Sequence, residues 1–179
     1  MHRFKSAILE KLKNCQNGNA ASIVHNDNTL WVTGGSNGGY LASTEYVKLT
    51  GTMPGPDLPM ALRYHAMVAI NNTCSMVIGG EDQNLVYSAS TFYYDHNEGE
   101  WTTGPSLMQA RKWHAAGIVT DEVTDENFVA VTGGYYSRVL DSTEILQDGN
   151  WVQGNINDAL SICYLFGNLM VSEYFYRIS

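Results

Sequence analysis

A double glycine recurs three times along this chain, and the recurrence constrains the fold more than any other feature of the sequence. The pairs are Gly34-Gly35, Gly79-Gly80 and Gly133-Gly134. A short, β-rich run precedes each pair, at 29–33, 74–78 and 128–132. A Ser-Thr pair and another β-rich stretch begin eight or ten residues after each second glycine. Self-similarity of this kind is typical of repeat proteins, in which each repeat is one supersecondary unit that packs on its neighbours.

Tryptophan and histidine positions keep the same register as the glycines. Trp101 and Trp151 each lie three residues before a single glycine, and Met53 begins the Met-Pro-Gly-Pro sequence in the matching place of the first unit. His65 and His114 each follow the corresponding glycine of the preceding unit by ten residues. So many correlated spacings indicate a repeated structure rather than coincidence.

Each unit is predicted to form four short strands. The first is a run such as 65–70, and a tight turn at Asn71-Asn72 leads into the second strand, which ends at the double glycine. In the third unit an acidic stretch, 120–127, widens this turn. The second strands, such as 29–33, do not alternate apolar with polar residues, so both of their faces can be packed, as stacked sheets require.

Double glycine, Ser-Thr, tryptophan, Gly-Pro and an arginine shortly before His-Ala together resemble the kelch repeat. The resemblance covers about 19–154, and the sequence at 104–111 is particularly similar to animal BTB–kelch proteins. It implies an all-β fold, a kelch-type β-propeller in which each repeat is one four-stranded blade. The implied blades span about 19–54, 63–102 and 111–152. The structural signature is then the three double glycines with Trp101 and Trp151.

The pattern breaks down towards both ends of the chain. Residues 155–179 resemble a degenerate fourth unit, which lacks a double glycine and has Tyr164 in place of the repeated histidine. Residues 1–18 fit no blade and are assigned to an N-terminal tail. The spacing of Phe4, Ile8 and Leu12 favours a short helix there, and a first strand at 3–7 is the alternative. The predicted domains are therefore the tail, 1–18, and a partial propeller, 19–179.

Three blades are fewer than the family uses to close a propeller, so two blade faces are expected to be uncovered. Repeat arrays normally cap or close such faces, because large exposed apolar patches favour association. Four explanations stay open at this point: a fragment of a longer protein, a truncated gene model, a half-ring that self-associates through its open blade faces, and a stable open wedge.

Composition excludes several classes of function. The net charge of −8 argues against a nucleic-acid surface, where lysine and arginine would dominate. The three cysteines form no CxxC pair, so neither a zinc site nor a redox motif is indicated. The N-terminal residues lack the apolar core of a signal peptide, and the longest near-apolar run, 159–171, is too short to span a bilayer. We expect a cytoplasmic protein with no membrane partner, in which the Asn71-Asn72-Thr73 sequon is coincidental.

No catalytic residue, metal site or cofactor is predicted. The glycine-rich loop 34–39 lacks the Gly-Lys-Ser/Thr of a P-loop and leads into a strand. His65 and His114 recur at one repeat position, which favours a structural, hydrogen-bonding role over catalysis. The carboxylates at 121–126 lack the spacing and the glycine of a calcium loop.

The resemblance implies a protein-binding module rather than an enzyme. BTB–kelch proteins recruit substrates to cullin-type ubiquitin ligases, and some bind actin. Partner contacts in this family come from loops on one face, which carries over to the residue after each double glycine and to aromatic residues beside the repeat histidines. These candidates are Ser36, Glu81, Tyr135, Tyr64 and Trp113. Alternatively, Tyr64 and Trp113 cover neighbouring blades, or the chain belongs to a carbohydrate-acting kelch enzyme of galactose-oxidase-like or sialic-acid-handling type.

Overall fold

A computed structural model describes residues 19–25, 28–121 and 123–154. The predicted tail at 1–18 and the predicted fourth unit at 155–179 lie outside the described residues. Within those ranges every assigned regular element is a β-strand, which confirms the all-β prediction for this part of the chain.

Sixteen strands are assigned across the described residues. In chain order they are β1 (Ala21–Val24), β2 (Leu30–Thr33), β3 (Thr44–Lys48), β4 (Gly51–Pro54), β5 (Leu62–Arg63), β6 (Ala66–Ala69), β7 (Cys74–Ile78), β8 (Glu81–Asp82), β9 (Thr91–Asp95), β10 (Glu100–Thr103), β11 (Ala115–Thr120), β12 (Asn127–Thr132), β13 (Tyr135–Tyr136), β14 (Arg138–Val139), β15 (Thr143–Gln147) and β16 (Asn150–Gln153). In the described part of the chain, these strands form three four-stranded antiparallel sheets and two small two-stranded sheets. Sheet 1 is β1-β2-β3-β4, sheet 2 is β6-β7-β9-β10 and sheet 3 is β11-β12-β15-β16; β5 pairs with β8, and β13 with β14.

Each four-stranded sheet is an antiparallel meander, so its connections alternate between two ends. At one end lie the loops 34–43, 79–90 and 133–142 and the segments 55–65 and 104–114, which lead from one sheet to the next. We call this the loop end. The short turns at the opposite end, the turn end, join the first strand of each sheet to the second and the third to the fourth.

The double glycines end the second strand of each sheet in the left-handed region of backbone conformation. Gly79 has a φ of +61° and Gly80 a φ of +100°. A Cβ at Gly79 would lie 2.7 Å from the carbonyl oxygen of Arg111, and the Gly80 N–H donates to that oxygen at 2.8 Å. Glycine is required here because the next sheet's chain passes too close for any side chain.

The Ser-Thr and Gly-Pro motifs meet at the loop end of sheets 1 and 2. The Thr91 hydroxyl donates to the carbonyl oxygen of Pro105 at 2.8 Å, and Thr44 makes the same bond to Pro56 at 2.9 Å. A Cβ at Gly104 would lie 2.5 Å from the Thr91 oxygen. The two motifs therefore recur together because the threonine hydroxyl occupies the space that the glycine leaves.

Two apolar cores lie between the sheets. The core between sheets 1 and 2, junction 1–2, contains Ala21, Trp31, Leu58, Leu62, Met67, Val77, Phe92 and Tyr94. The core between sheets 2 and 3, junction 2–3, contains Val68, Met76, Ile78, Leu107, Val129, Val131 and Trp151. Strand β7 thus contributes Val77 to one core and its neighbours to the other, which confirms the prediction that this strand is packed on both faces. Each fully buried apolar side chain contributes roughly 1.5–3 kcal/mol.

The predicted tryptophans lie in these cores, but the most buried tryptophan is a third one. Trp151 is buried in junction 2–3, and Trp101 packs against junction 1–2. Trp31 has no exposed surface, and its Nε1 donates to Thr44 Oγ1 at 3.0 Å. Its threonine partner explains how an indole N–H is satisfied in the centre of an apolar core.

The first strands of successive sheets lie side by side, so sheet 2 stands between sheets 1 and 3. Backbone bonds at equivalent positions tie the sheets together: the Tyr64 N–H donates to the Asn19 carbonyl at 2.8 Å, and the Trp113 N–H donates to the Tyr64 carbonyl at 3.1 Å. This repeated stacking of four-stranded sheets is compatible with part of a β-propeller.

Candidate functional site

Side chains from several loops converge at the loop end on Glu81, the residue after the second double glycine. Glu81 begins β8 and is only 2% exposed. The Tyr40 hydroxyl donates to its Oε1 at 2.6 Å, and Arg63 donates to the same oxygen through Nε at 2.9 Å and Nη2 at 2.6 Å. Lys112 Nζ forms an ion pair with Oε2. Glu81 therefore joins three loop-end segments through one carboxylate.

The electrostatics of this carboxylate follow from its partners. Burial alone would raise the pKa of Glu81, but hydrogen bonds from Lys112, Tyr40 and Arg63 outweigh burial and lower the pKa to about 2. Burial and the bond to Glu81 raise the pKa of Tyr40 to about 12. Glu81 is ionised and Tyr40 protonated at neutral pH, and both act as fixed elements of the network.

Aromatic rings cover the two cations. The Lys112 ammonium lies 4.4 Å from the ring centre of Trp113, 4.5 Å from that of Tyr87 and 5.3 Å from that of Tyr64. The Arg63 guanidinium lies 4.8 Å from the Tyr64 ring. A cation over the face of such rings is attracted by their quadrupole, more strongly where water is excluded.

The rings also contact one another. Tyr64 and Trp113 meet edge to face at 5.0 Å, and Trp113 lies 5.8 Å from Tyr135. The rings and the ionic groups together form what we call the aromatic–ionic cluster: Tyr40, Arg63, Tyr64, Glu81, Tyr87, Lys112, Trp113 and Tyr135. Four of the five predicted contact residues belong to it. The fifth, Ser36, adjoins it through an isolated β-bridge to Tyr40.

Two of the aromatic residues are held in a left-handed backbone conformation. Tyr64 has a φ of 60° and Trp113 a φ of 58°. Bulky side chains rarely adopt this region, which costs roughly 1–2 kcal/mol relative to the right-handed one. Strain of this kind is found disproportionately at functional sites. It recurs here at equivalent positions of two repeats, and Trp113 is 42% exposed.

Exposed apolar residues flank the cluster on two adjacent hairpins. The first hairpin, 81–87, carries Leu85 and Val86, which are 66% and 57% exposed. The second hairpin, 135–139, is formed by β13 and β14 and carries Val139, which is 75% exposed. The Tyr87 and Tyr136 rings join the hairpins at 5.7 Å. The loop end therefore presents a surface of partly exposed rings and aliphatic groups.

Sequence reasoning did not single out Tyr40, Tyr87 or the two cations of the cluster. A signal for the cations exists, because Arg63-Tyr64-His65 and Lys112-Trp113-His114 repeat the order cation, aromatic, histidine. Tyr40 and Tyr87 lie in loops of different length. Their positions in the sequence therefore do not predict that they join the same cluster.

The two arginines that open the sequence motif do not occupy equivalent positions in the structure. Arg63 lies two residues before its histidine and Arg111 three residues before, so Lys112 is the counterpart of Arg63. Arg111 has no exposed surface and forms an ion pair with Glu144 at 2.7 Å. Its Nη1 donates to the Gly133 carbonyl at 2.8 Å. Arg111 thus fastens a loop-end segment to sheet 3.

The repeat histidines lie between sheets rather than on the surface. His65 is 6% exposed, and its Nε2 lies 2.9 Å from Thr33 Oγ1 of the preceding sheet. His114 is 9% exposed, and its ring closely approaches Gly79. Burial lowers the pKa of His65 to about 4 and that of His114 to about 3. Both are neutral at physiological pH.

Comparison with known proteins adds no assignment: no protein-family model and no curated protein matches the chain. Within the described residues, no three or more His, Cys, Asp or Glu side chains are grouped to hold a metal ion. That same part of the chain has no helix with the length and apolarity that a membrane crossing demands.

Proposed function

We propose that this chain is part of a kelch-type β-propeller with three blades, which correspond to sheets 1 to 3, and that it acts as a protein-interaction module. The docking surface is the aromatic–ionic cluster with its two flanking hairpins. The observation that carries the proposal is the convergence of Tyr64, Trp113 and Tyr135 around a buried, fully paired Glu81 at the loop end.

The composition of this surface supports protein binding. Tryptophan, tyrosine and arginine are the residues that most often dominate the binding energy of protein interfaces. Trp113 and Tyr136 are each 42% exposed, so a partner can bury further area on them. Anchors held by packing and ionic contacts lose little conformational freedom on binding, which favours affinity.

The ionic network determines what the surface offers to a partner. Arg63 and Lys112 both pair with Glu81, and Lys112 is only 8% exposed. The groups left for contact are mainly rings and aliphatic side chains. The partner is therefore a protein segment that inserts apolar or aromatic side chains between the hairpins.

The resemblance to BTB–kelch proteins gives this module a cellular role as an adaptor that selects a ubiquitination substrate or a cytoskeletal filament in the cytoplasm. The alternative of a carbohydrate-acting kelch enzyme stays a prediction, and no geometry of the described residues favours it over docking.

Site-specific photocrosslinking in cells tests the proposal. A photoreactive phenylalanine derivative at Tyr136 should give a crosslinked partner that mass spectrometry identifies. The same derivative at Val123, which is 94% exposed at the turn end, is the matched control and should not capture that protein.

The purified partner then allows a quantitative measurement. Trp113→Ala should weaken its binding by about tenfold or more, as expected for a loss above ~1.4 kcal/mol at a central anchor. Val123→Ala should leave the affinity unchanged. Equal crosslinking at the two positions, or full affinity in Trp113→Ala, would argue against the loop end as the docking surface.

A further inference from the structure

A second candidate binding site lies at the turn end, away from the aromatic–ionic cluster. It is a cleft of about 390 Å³ between the turns of sheets 1 and 2. The lining residues are His25, Thr29, Tyr46, Lys48, Met53, Asn72 and His96. The cleft is open to solvent, and it combines aromatic side chains with a few polar groups, as small-molecule sites do.

The aromatic wall of the cleft is preformed. His96 Nε2 lies 2.8 Å from the hydroxyl of the buried Ser75, and the His96 ring meets Trp31 edge-on at 5.4 Å. Tyr46 stacks on the same indole at 5.4 Å with an interplanar angle of 29°. Because Ser75 and Trp31 have no exposed surface, both lining rings rest on fixed groups. A ligand would find this wall already in place.

Two imidazoles in the lining of the cleft contact each other. The rings of His25 and His96 meet at 4.4 Å and 87°, one from sheet 1 and the other from sheet 2. Burial, and then the neighbouring His25, lower the pKa of His96. A neutral imidazole offers a flat face and one N–H donor, which suits an aromatic ligand that carries hydrogen-bond acceptors.

The described residues of the lining include a cation, in a chain whose net charge is −8. Lys48 is the one lysine or arginine among the described lining residues, none of which is an aspartate or glutamate. The adjacent Asp95 accepts the N–H groups of Asn97 and Glu98 within its own turn. Lys48 also has a contact within the protein, which a bound anion would share or displace. The amide of Asn72 adds a neutral donor.

We propose that this cleft binds a small organic anion that carries an aromatic ring, with the ring against Tyr46 and His96 and the anionic group towards Lys48 and Asn72. Carboxylate and phosphate ester are the two sources of that charge. The site does not depend on the docking surface at the loop end.

Titration of the full chain with benzoate, followed by ¹H–¹⁵N NMR, tests the proposal. Benzoate should cause saturable shifts at the amides of Asn72 and His96, with phenyl phosphate as the second arm. Benzamide lacks the charge and acetate lacks the ring, so each should bind about tenfold more weakly than benzoate, a factor that reports one lost interaction.

Matched variants decide whether the cleft is responsible. Lys48→Met and Asn72→Ala should each weaken benzoate binding by about tenfold, and Arg138→Met at the loop end should leave it unchanged. A thermal melt establishes that each variant is folded, and Asn72→Ala gives a second test should Lys48→Met unfold. Non-saturating shifts, equal binding of benzamide, or full affinity in both cleft variants would overturn the proposal.

Discussion

Junctions 1–2 and 2–3 share one backbone pattern but are filled with different side chains. In junction 1–2, Trp31 lies 5.0 Å from Tyr94 and 5.7 Å from Trp101, so a cluster of aromatic rings forms part of the core. The counterpart of Trp31 in junction 2–3 is Met76, since each lies three residues before a double glycine. Met76 packs in a mainly aliphatic cluster, in which Trp151 is the one buried aromatic residue.

The junctions also differ in the side-chain contacts that hold the segment leading from one sheet to the next. In junction 1–2, Leu62 and Phe92 lie in the apolar core. Their repeat counterparts in junction 2–3 are Arg111 and Glu144, which form an ion pair with side chains 0% and 1% exposed. The repeat therefore accepts either an apolar pair or an ion pair at one place, because the backbone bonds between the sheets are the same in both.

Breaking the ion pair should give the largest effect. Arg111→Leu leaves Glu144 buried without its cation, and loss of one partner of a buried pair typically destabilises by about 3–5 kcal/mol. The double variant Arg111→Leu/Glu144→Phe recreates the pair of junction 1–2 and should regain part of that loss. Urea unfolding followed by circular dichroism measures both. A single variant that loses less than ~1 kcal/mol would contradict the importance of the pair.

Truncating the equivalent core residues tests the contrast between aromatic and aliphatic packing. Trp31→Ala should destabilise by about 3–5 kcal/mol, and Met76→Ala by about 2–5 kcal/mol, with the tryptophan variant the more severe because it removes more buried area. Met76→Leu, which preserves volume, should lose less than about 1.5 kcal/mol and serves as the control. A larger loss in Met76→Ala than in Trp31→Ala would reverse the comparison.

Acid should weaken both junctions through their buried histidines. Because burial lowers their folded-state pKa values to about 4 for His65 and about 3 for His114, the unfolded chain binds protons first as the pH falls below about 6.5. Stability is therefore full above pH ~6.5 and is lost down to those folded values. Each histidine should account for about 2–3 kcal/mol between pH 6.5 and 4.5, at 1.36 kcal/mol per unit.

Phenylalanine variants separate the two histidines. His65→Phe and His114→Phe should each flatten the decline of unfolding free energy with pH over that range. The loss from Glu81, whose pKa falls from 4.5 to about 2, belongs to lower pH and should persist in both variants. An unchanged pH profile in both would show that neither histidine causes the acid sensitivity.

Local backbone demands explain how much of the fold could be predicted from the sequence. Gly79 and Gly80 have positive φ and lie close to a neighbouring chain segment, and both conditions require glycine at fixed positions of the repeat. The repeated glycines therefore made it possible to predict the strands that precede them and the short turns between strands. The two repeat histidines were predicted to have a structural, hydrogen-bonding role, and both lie buried between sheets. His65 has the predicted hydrogen bond, to Thr33, but both ring nitrogens of His114 are buried without one.

The ionic part of the candidate site could not be predicted in this way. Glu81 meets Tyr40 across 41 residues of sequence and Lys112 across 31. Such contacts depend on how loops from different sheets come together, and the spacing of residues within one repeat does not predict this.

The smallest expected difference concerns the two tryptophans at equivalent positions of sheets 2 and 3. Trp151 Nε1 donates to the Pro105 carbonyl at 2.9 Å, whereas Trp101 Nε1 is buried without a hydrogen-bond partner. Trp→Phe makes the same change in volume at both sites, so the difference isolates the N–H group. Trp151→Phe should lower the free energy of unfolding by about 1 kcal/mol more than Trp101→Phe does, since one hydrogen bond contributes about that much. Equal losses in thermal unfolding would show that the bond to Pro105 does not distinguish the junctions.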